Sequence, residues 1–115
     1  MYRKIIDELS NKKIAILGFG MEGISTYKFI RKHSNMPITI IDKVDIYEKN
    51  KELLIDDTNV SYVIGEKYLQ DLEIYDLIIK GPGVILKDID TSKLKITSQL
   101  ELLLKYYKEN VIGVT

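Results

Sequence analysis

The chain has 115 residues, 17 basic and 17 acidic side chains, a formal net charge of zero and no Cys. That length suits one domain with a modest core, and the charge balance argues against a general nucleic-acid binder, which carries a basic excess. Without Cys there is no disulfide framework, no thiolate zinc site and no thiol nucleophile.

Taken in chain order, residues 2–10 place Ile5, Ile6 and Leu9 at helical spacing. Lys13–Leu17 is a short apolar run closed by Gly18, which reads as a buried strand. A helix is expected from Glu22 to Lys32, then a β-branched strand over Pro37–Ile41. Residues 46–55 predict a helix, and Val60–Ile64 a third strand. Asp76–Lys80 predicts a fourth strand, stopped by Gly81-Pro82-Gly83, and Leu94–Thr97 a short fifth. Ser98 with Glu101 three residues on has capping-box spacing. The helix it starts is expected to run to about Glu109, with Leu100, Leu102, Leu103 and Leu104 on a broad apolar face. Val111–Thr115 reads as one more strand.

Strands alternating with helices imply βαβ units and a parallel sheet. The expected fold is α/β, Rossmann-like and doubly wound, a mainly parallel sheet flanked by helices. Ligands in such sheets bind beyond the carboxyl ends of the strands. Gly18-Phe19-Gly20, Asp42 and Gly81-Pro82-Gly83 all fall at that edge.

Gly18-Phe19-Gly20-Met21-Glu22-Gly23 is a full G-x-G-x-x-G between a predicted strand and a predicted helix. Its glycines permit a tight turn, approach of a diphosphate to the backbone, and close helix–strand packing. The helix start adds free N–H groups and partial positive charge. The motif therefore points to a nucleotide or diphosphate; without a ligand it is a tight structural turn. Asp42 lies about 20 residues on, where dinucleotide sites place the acid that bonds ribose hydroxyls. The alternative is an Asp that simply caps the loop that follows. Lys43 is a candidate phosphate contact or a solvated side chain, and Gly81, Pro82 and Gly83 form a stiff turn facing the same edge. His33, the only His, reads as a solvated residue near a helix C-terminus. Asp56-Asp57, Asp88 and Asp90 read as solvated loop charge. The sequence contains no nucleophile–base pair and no metal-ligand spacing, so no catalytic residue and no metal site is expected. No apolar run approaches the roughly 18 residues of a membrane span, and the N-terminus has no secretory apolar segment. A cytoplasmic protein without membrane or nucleic-acid partners is expected.

Ile14–Ser25, Ile40-Ile41-Asp42, Asp76–Val84 and Ile96–Leu102 together resemble, in the same order, the opening of the Mur ligases, specifically the D-glutamate-adding branch. Val111–Thr115 resembles the strand before that family's G-T-x-G-K-[ST] phosphate loop. The resemblance implies a full-length enzyme of three domains that works in peptidoglycan synthesis. Such an enzyme adds D-glutamate to UDP-N-acetylmuramoyl-L-alanine with ATP and Mg²⁺ through an acyl phosphate. Residues 1–97 would hold the UDP part of the substrate. Residues 98–115 would begin the central ATP-binding domain, cut before its phosphate loop and lacking the rest of the central and C-terminal domains. This segment would bind neither ATP nor Mg²⁺ and would be inactive alone. By position, the amides of Met21 and Glu22 would meet the diphosphate, Asp42 and Lys43 would lie by uracil and ribose, and Gly83 would contact the uracil side. The chain departs from the family pattern at Glu22, at Lys43-Val44, at Gly81 and at Gln99. Three other readings remain open: an NAD(H)-binding Rossmann domain of a dehydrogenase or regulatory protein, a sister ligase with another muramoyl-peptide substrate, and a non-binding interaction domain.

Overall fold

A computed structural model describes the backbone of residues 2–111 and the side chains of residues 3–105. Helix α1 (Tyr2–Ser10) leads into strand β1 (Ile14–Leu17), then α2 (Met21–His33) and β2 (Ile38–Asp42). Two short helices, α3 (Ile46–Lys49) and α4 (Lys51–Leu54), precede β3 (Val60–Ile64). A single 3-10 turn (Leu72–Ile74) precedes β4 (Leu77–Lys80). The two-residue β5 (Ile96–Thr97) is followed by α5 (Gln99–Val111).

The five strands form one parallel sheet in the order β3-β2-β1-β4-β5. Strand order therefore runs one way from β1 to β3 and reverses to place β4 on the other side. This is the Rossmann-like architecture expected from the alternating pattern. β1 is buried along its whole length because it lies at the centre with neighbours on both edges. Its alternate side chains feed two cores. Ile14 and Ile16 point to a layer with Ile5 and Leu9 of α1, Tyr27 and Ile30 of α2, Ile46 and Leu54. Ala15 and Leu17 face a second layer with Leu72, Tyr75 and Ile78, packed by Tyr68, Val84, Leu86 and Leu94. The four helices α1–α4 thus cover one face. The other is covered by the 3-10 turn and loop side chains.

The helix expected over 46–55 is broken at Asn50, whose backbone is non-helical at φ −122 and ψ 26. Its side-chain amide donates to Ile46 O at 2.8 Å, competing with a regular turn. Asn50 thereby ends α3 and starts α4. Ser98 starts α5 as its spacing foretold: Glu101 N donates to Ser98 Oγ at 3.0 Å. α5 rests on the first core through Leu102 and is tied to α1 by Lys105 to Glu8 at 3.4 Å. Leu100, Leu103 and Leu104 stay exposed. The strand expected over Val111–Thr115 does not begin at Val111, which ends α5; its other residues lie outside the described part.

Candidate functional site

Local chemistry makes the turn after β1. Gly18 takes φ +89, a left-handed conformation that L side chains rarely adopt, and its N–H donates to Ile41 O at 2.7 Å. A Cβ on Gly23 would stand 2.1 Å from the Gly18 carbonyl oxygen, so α2 can seat this close to β1 only without a side chain there. Gly20 is different: nothing lies within 4 Å of a Cβ built on it. It caps α2 without a side chain, leaving the first-turn amides to an outside acceptor.

Between the two outer glycines, Phe19 turns inward and packs edge-on against Tyr27, with centroids 5.9 Å apart. Its N–H donates to Asp42 Oδ2 at 2.8 Å, while Asp42 Oδ1 accepts from Val44 N at 3.1 Å. Asp42 therefore links the glycine turn to the end of β2 and also caps its own following loop. Each oxygen retains a second acceptor site for a ligand hydroxyl.

A polar cluster backs this turn. The Tyr27 hydroxyl donates to Asp57 Oδ2, which also accepts from Arg31 Nε at 2.7 Å. Arg31 further donates to the carbonyls of Ser34, Met36 and Asn59. Burial alone raises the Asp57 carboxyl, but bonds from Tyr27, Asn59 N–H and Arg31 outweigh it and hold the group below the usual range. Burial, together with the Asp57 contact, pushes the Tyr27 hydroxyl up to about 12. Asp57 is thus not the solvated loop charge its sequence position suggests: its side chain is only 6% exposed and is shared by two side chains of α2.

Across the sheet, Gly81 N donates to Leu17 O at 2.9 Å, bringing the Gly-Pro-Gly turn beside the glycine turn. Between them lies a cleft of about 530 Å³ lined by Gly18, Gly20, Met21, Gly23, Asp42, Lys43, Tyr68, Gly81, Pro82, Gly83 and Val84. It sits where strand order reverses between β1 and β4, the ligand position of open parallel sheets. Every site residue expected from the sequence lines it except Glu22. Glu22 instead lines an adjoining crevice with Thr26, Lys80 and Gln99. Tyr68 and Val84 are additions. Tyr68 arrives through the Gly65 turn, where Gly65 at φ +117 accepts from Tyr68 N. Only the topology signals Tyr68, since the loop after β3 opens on the same edge. A wider groove of about 790 Å³ runs between α2 and α3–α4, lined by alternating charges such as Lys28, Glu48, Lys51 and Glu52. It gathers none of the glycine turns, so the smaller cleft is the candidate site.

The N-terminal-domain model of the MurD-like Mur ligases matches residues 12–100. The chain belongs to the MurD-like Mur ligase family. This MurD-like chain is 31% identical over 125 residues to a UDP-N-acetylmuramoylalanine–D-glutamate ligase of Clostridium botulinum, covering 99% of this chain and 26% of that protein. A UDP-N-acetylmuramoylalanine–D-glutamate ligase of Clostridium acetobutylicum is 28% identical over 121 residues, with the same coverages. The MurD-like chain thus spans about a quarter of the length of the curated relatives it matches. No solved structure matches it. Among the described residues, no helix is long and apolar enough to cross a membrane.

Proposed function

We propose that residues 1–97 bind the UDP part of UDP-N-acetylmuramoyl-L-alanine, within a cytoplasmic ATP-dependent ligase that adds D-glutamate in peptidoglycan synthesis. The observation that carries this reading is the cleft at the β1–β4 reversal, where two glycine turns and the end of β2 meet. In it the amides of Met21 and Glu22 receive the diphosphate at the start of α2. Asp42 and Lys43 lie toward ribose and base, and Gly81-Pro82-Gly83 forms the facing wall. The names of the relatives support D-glutamate as the amino acid added. UDP is a handle: its binding energy orients a carboxyl group that reacts elsewhere.

Residues 98–115 begin the central domain in this reading. Among the described residues no three His, Cys, Asp or Glu side chains gather as a metal-ligand set. In this reading ATP and Mg²⁺ are held by the remaining domains, and the 115 residues alone are inactive as a ligase.

The test is a titration with UDP and, separately, NADH, followed by backbone amide shifts. UDP is expected to move Gly18–Gly23, Asp42 and Gly83, and NADH to leave them unchanged. Saturable NADH binding at those amides with no response to UDP overturns the reading.

A further inference from the structure

We propose that Lys80 is a positioning residue of the nucleotide cleft: its ammonium ties two carbonyls of the Gly-Pro-Gly turn and so sets the wall opposite the glycine motif. This rests on the UDP reading above and names a residue that reading does not use.

Lys80 is the last residue of β4 and stands in register with Leu17 of β1. A lysine at a strand end ordinarily extends its strongly hydrated ammonium into water. This one is half-buried and folds back over its own turn. Nζ donates to Gly81 O at 3.1 Å and to Val84 O at 2.7 Å. The backbone closure of the same turn, Val84 N to Gly81 O, is long at 3.4 Å and correspondingly weak. The stronger, charge-assisted bonds across the turn are thus the lysine's. At the front of the turn, Gly81 N is fixed to Leu17 O. At the back, only Lys80 holds the Val84 carbonyl among the described residues.

Val84 is the point at which this matters. Its Cγ2 stands 2.7 Å from where a Cβ on Gly18 would be, so it closes directly over the glycine turn. Moving Val84 changes the width of the cleft between Gly18 and Gly83. Lys80 has no carboxylate within ion-pair distance among the described residues. It lines the crevice adjoining the cleft rather than the cleft itself, so it acts on the site through the turn it ties.

The experiment compares wild type with Lys80→Met, which keeps the apolar stem, and Lys80→Arg, which keeps the charge and the donors. Two readouts are taken: UDP affinity by calorimetry, and hydrogen exchange of the Val84 amide without ligand. Lys80→Met is expected to weaken UDP binding about tenfold, the loss matching one charge-assisted hydrogen bond. Val84 exchange is expected to accelerate while the β1 amides stay protected. Lys80→Arg is expected to recover most of both. Unchanged UDP affinity in Lys80→Met overturns the positioning role, and so does unchanged Val84 exchange. If wild type itself fails to bind UDP, the nucleotide reading falls and the positioning role with it. Accelerated Val84 exchange in Lys80→Met would then still identify the lysine as a tie within the turn. Collapse of β1 protection in Lys80→Met would mark a general packing role and equally overturn the proposal.

Discussion

One added methyl group at Gly23 and one at Gly20 should have opposite consequences. At Gly23 the new Cβ would stand 2.1 Å from the Gly18 carbonyl oxygen and 3.3 Å from Ile16 Cγ2. An ordinary carbon–oxygen approach is roughly 3.3 Å, so α2 or the end of β1 must retreat by about an ångström. The obstacle is backbone, which has no rotamer to yield, and the clash costs about 3 kcal/mol, the upper part of the overpacking range. Replacing a helical Gly by Ala returns about 1 kcal/mol. The net loss of about 2 kcal/mol lowers the thermal midpoint of Gly23→Ala by about 8–16 °C. At Gly20 nothing lies within 4 Å of the added atom, and φ −82 suits any residue. The remaining cost of Gly20→Ala is the poorer helix cap, at most about 1 kcal/mol. Its methyl occupies the space in which a diphosphate approaches the backbone, so UDP affinity falls at least about tenfold. Circular-dichroism melts give the first quantity and calorimetric titration the second. An equal loss of stability in both variants, or undiminished UDP binding by Gly20→Ala, refutes this division of the motif.

Three further outcomes follow from the geometry. Asp57→Asn removes the charged partner of Tyr27 and Arg31 and is expected to cost about 2 kcal/mol near neutral pH, read by urea unfolding. The Asp57 carboxyl is depressed in the fold. Its contribution is therefore complete above the unfolded value of about 4 and vanishes as pH falls through the lower folded value. Wild type should lose stability with acid more steeply than Asp57→Asn; parallel acid limbs contradict the assignment. Asp42→Ala should speed exchange of the Phe19 amide and weaken UDP binding. Retained Phe19 protection would mean that the 2.8 Å bond does not hold the turn. Leu100→Lys and Leu104→Lys should change stability by no more than about 0.5 kcal/mol because both residues are exposed, whereas Leu102→Ala should cost more.

Much of the fold was legible because the strands carry short β-branched runs whose ends are marked by glycine or proline. Ile14–Leu17 and Leu77–Lys80 differ from their expected bounds by one residue each, the usual uncertainty of an element end. The break at Asn50 was not legible, because the residue differs from its helical neighbours only in a side-chain bond back to Ile46. The 3-10 turn at Leu72–Ile74 is too short for any periodicity to register. The convergence of the cleft was legible from strand ends alone. Tyr68 and Lys80 were not, since a loop aromatic and a strand-end lysine acquire meaning only from the carbonyls and glycines beside them in space. The role of Asp57 was hidden for a related reason: its partners are 26 and 30 residues away.

Ser98 is the single residue between β5 and α5. There is no linker in which direction can be lost, so the axis of α5 is inherited from the sheet. Gln99 reaches Ser25 of α2 at 3.1 Å, and Lys105 reaches Glu8 of α1. The helix therefore acts as a lever about 20 Å long, its 13 residues rising about 1.5 Å each. Its short arm bears on the same α2 whose first turn faces the cleft. A small tilt of α2 would be magnified at the far end of α5, so the candidate cleft and the heading of α5 share one mechanical linkage.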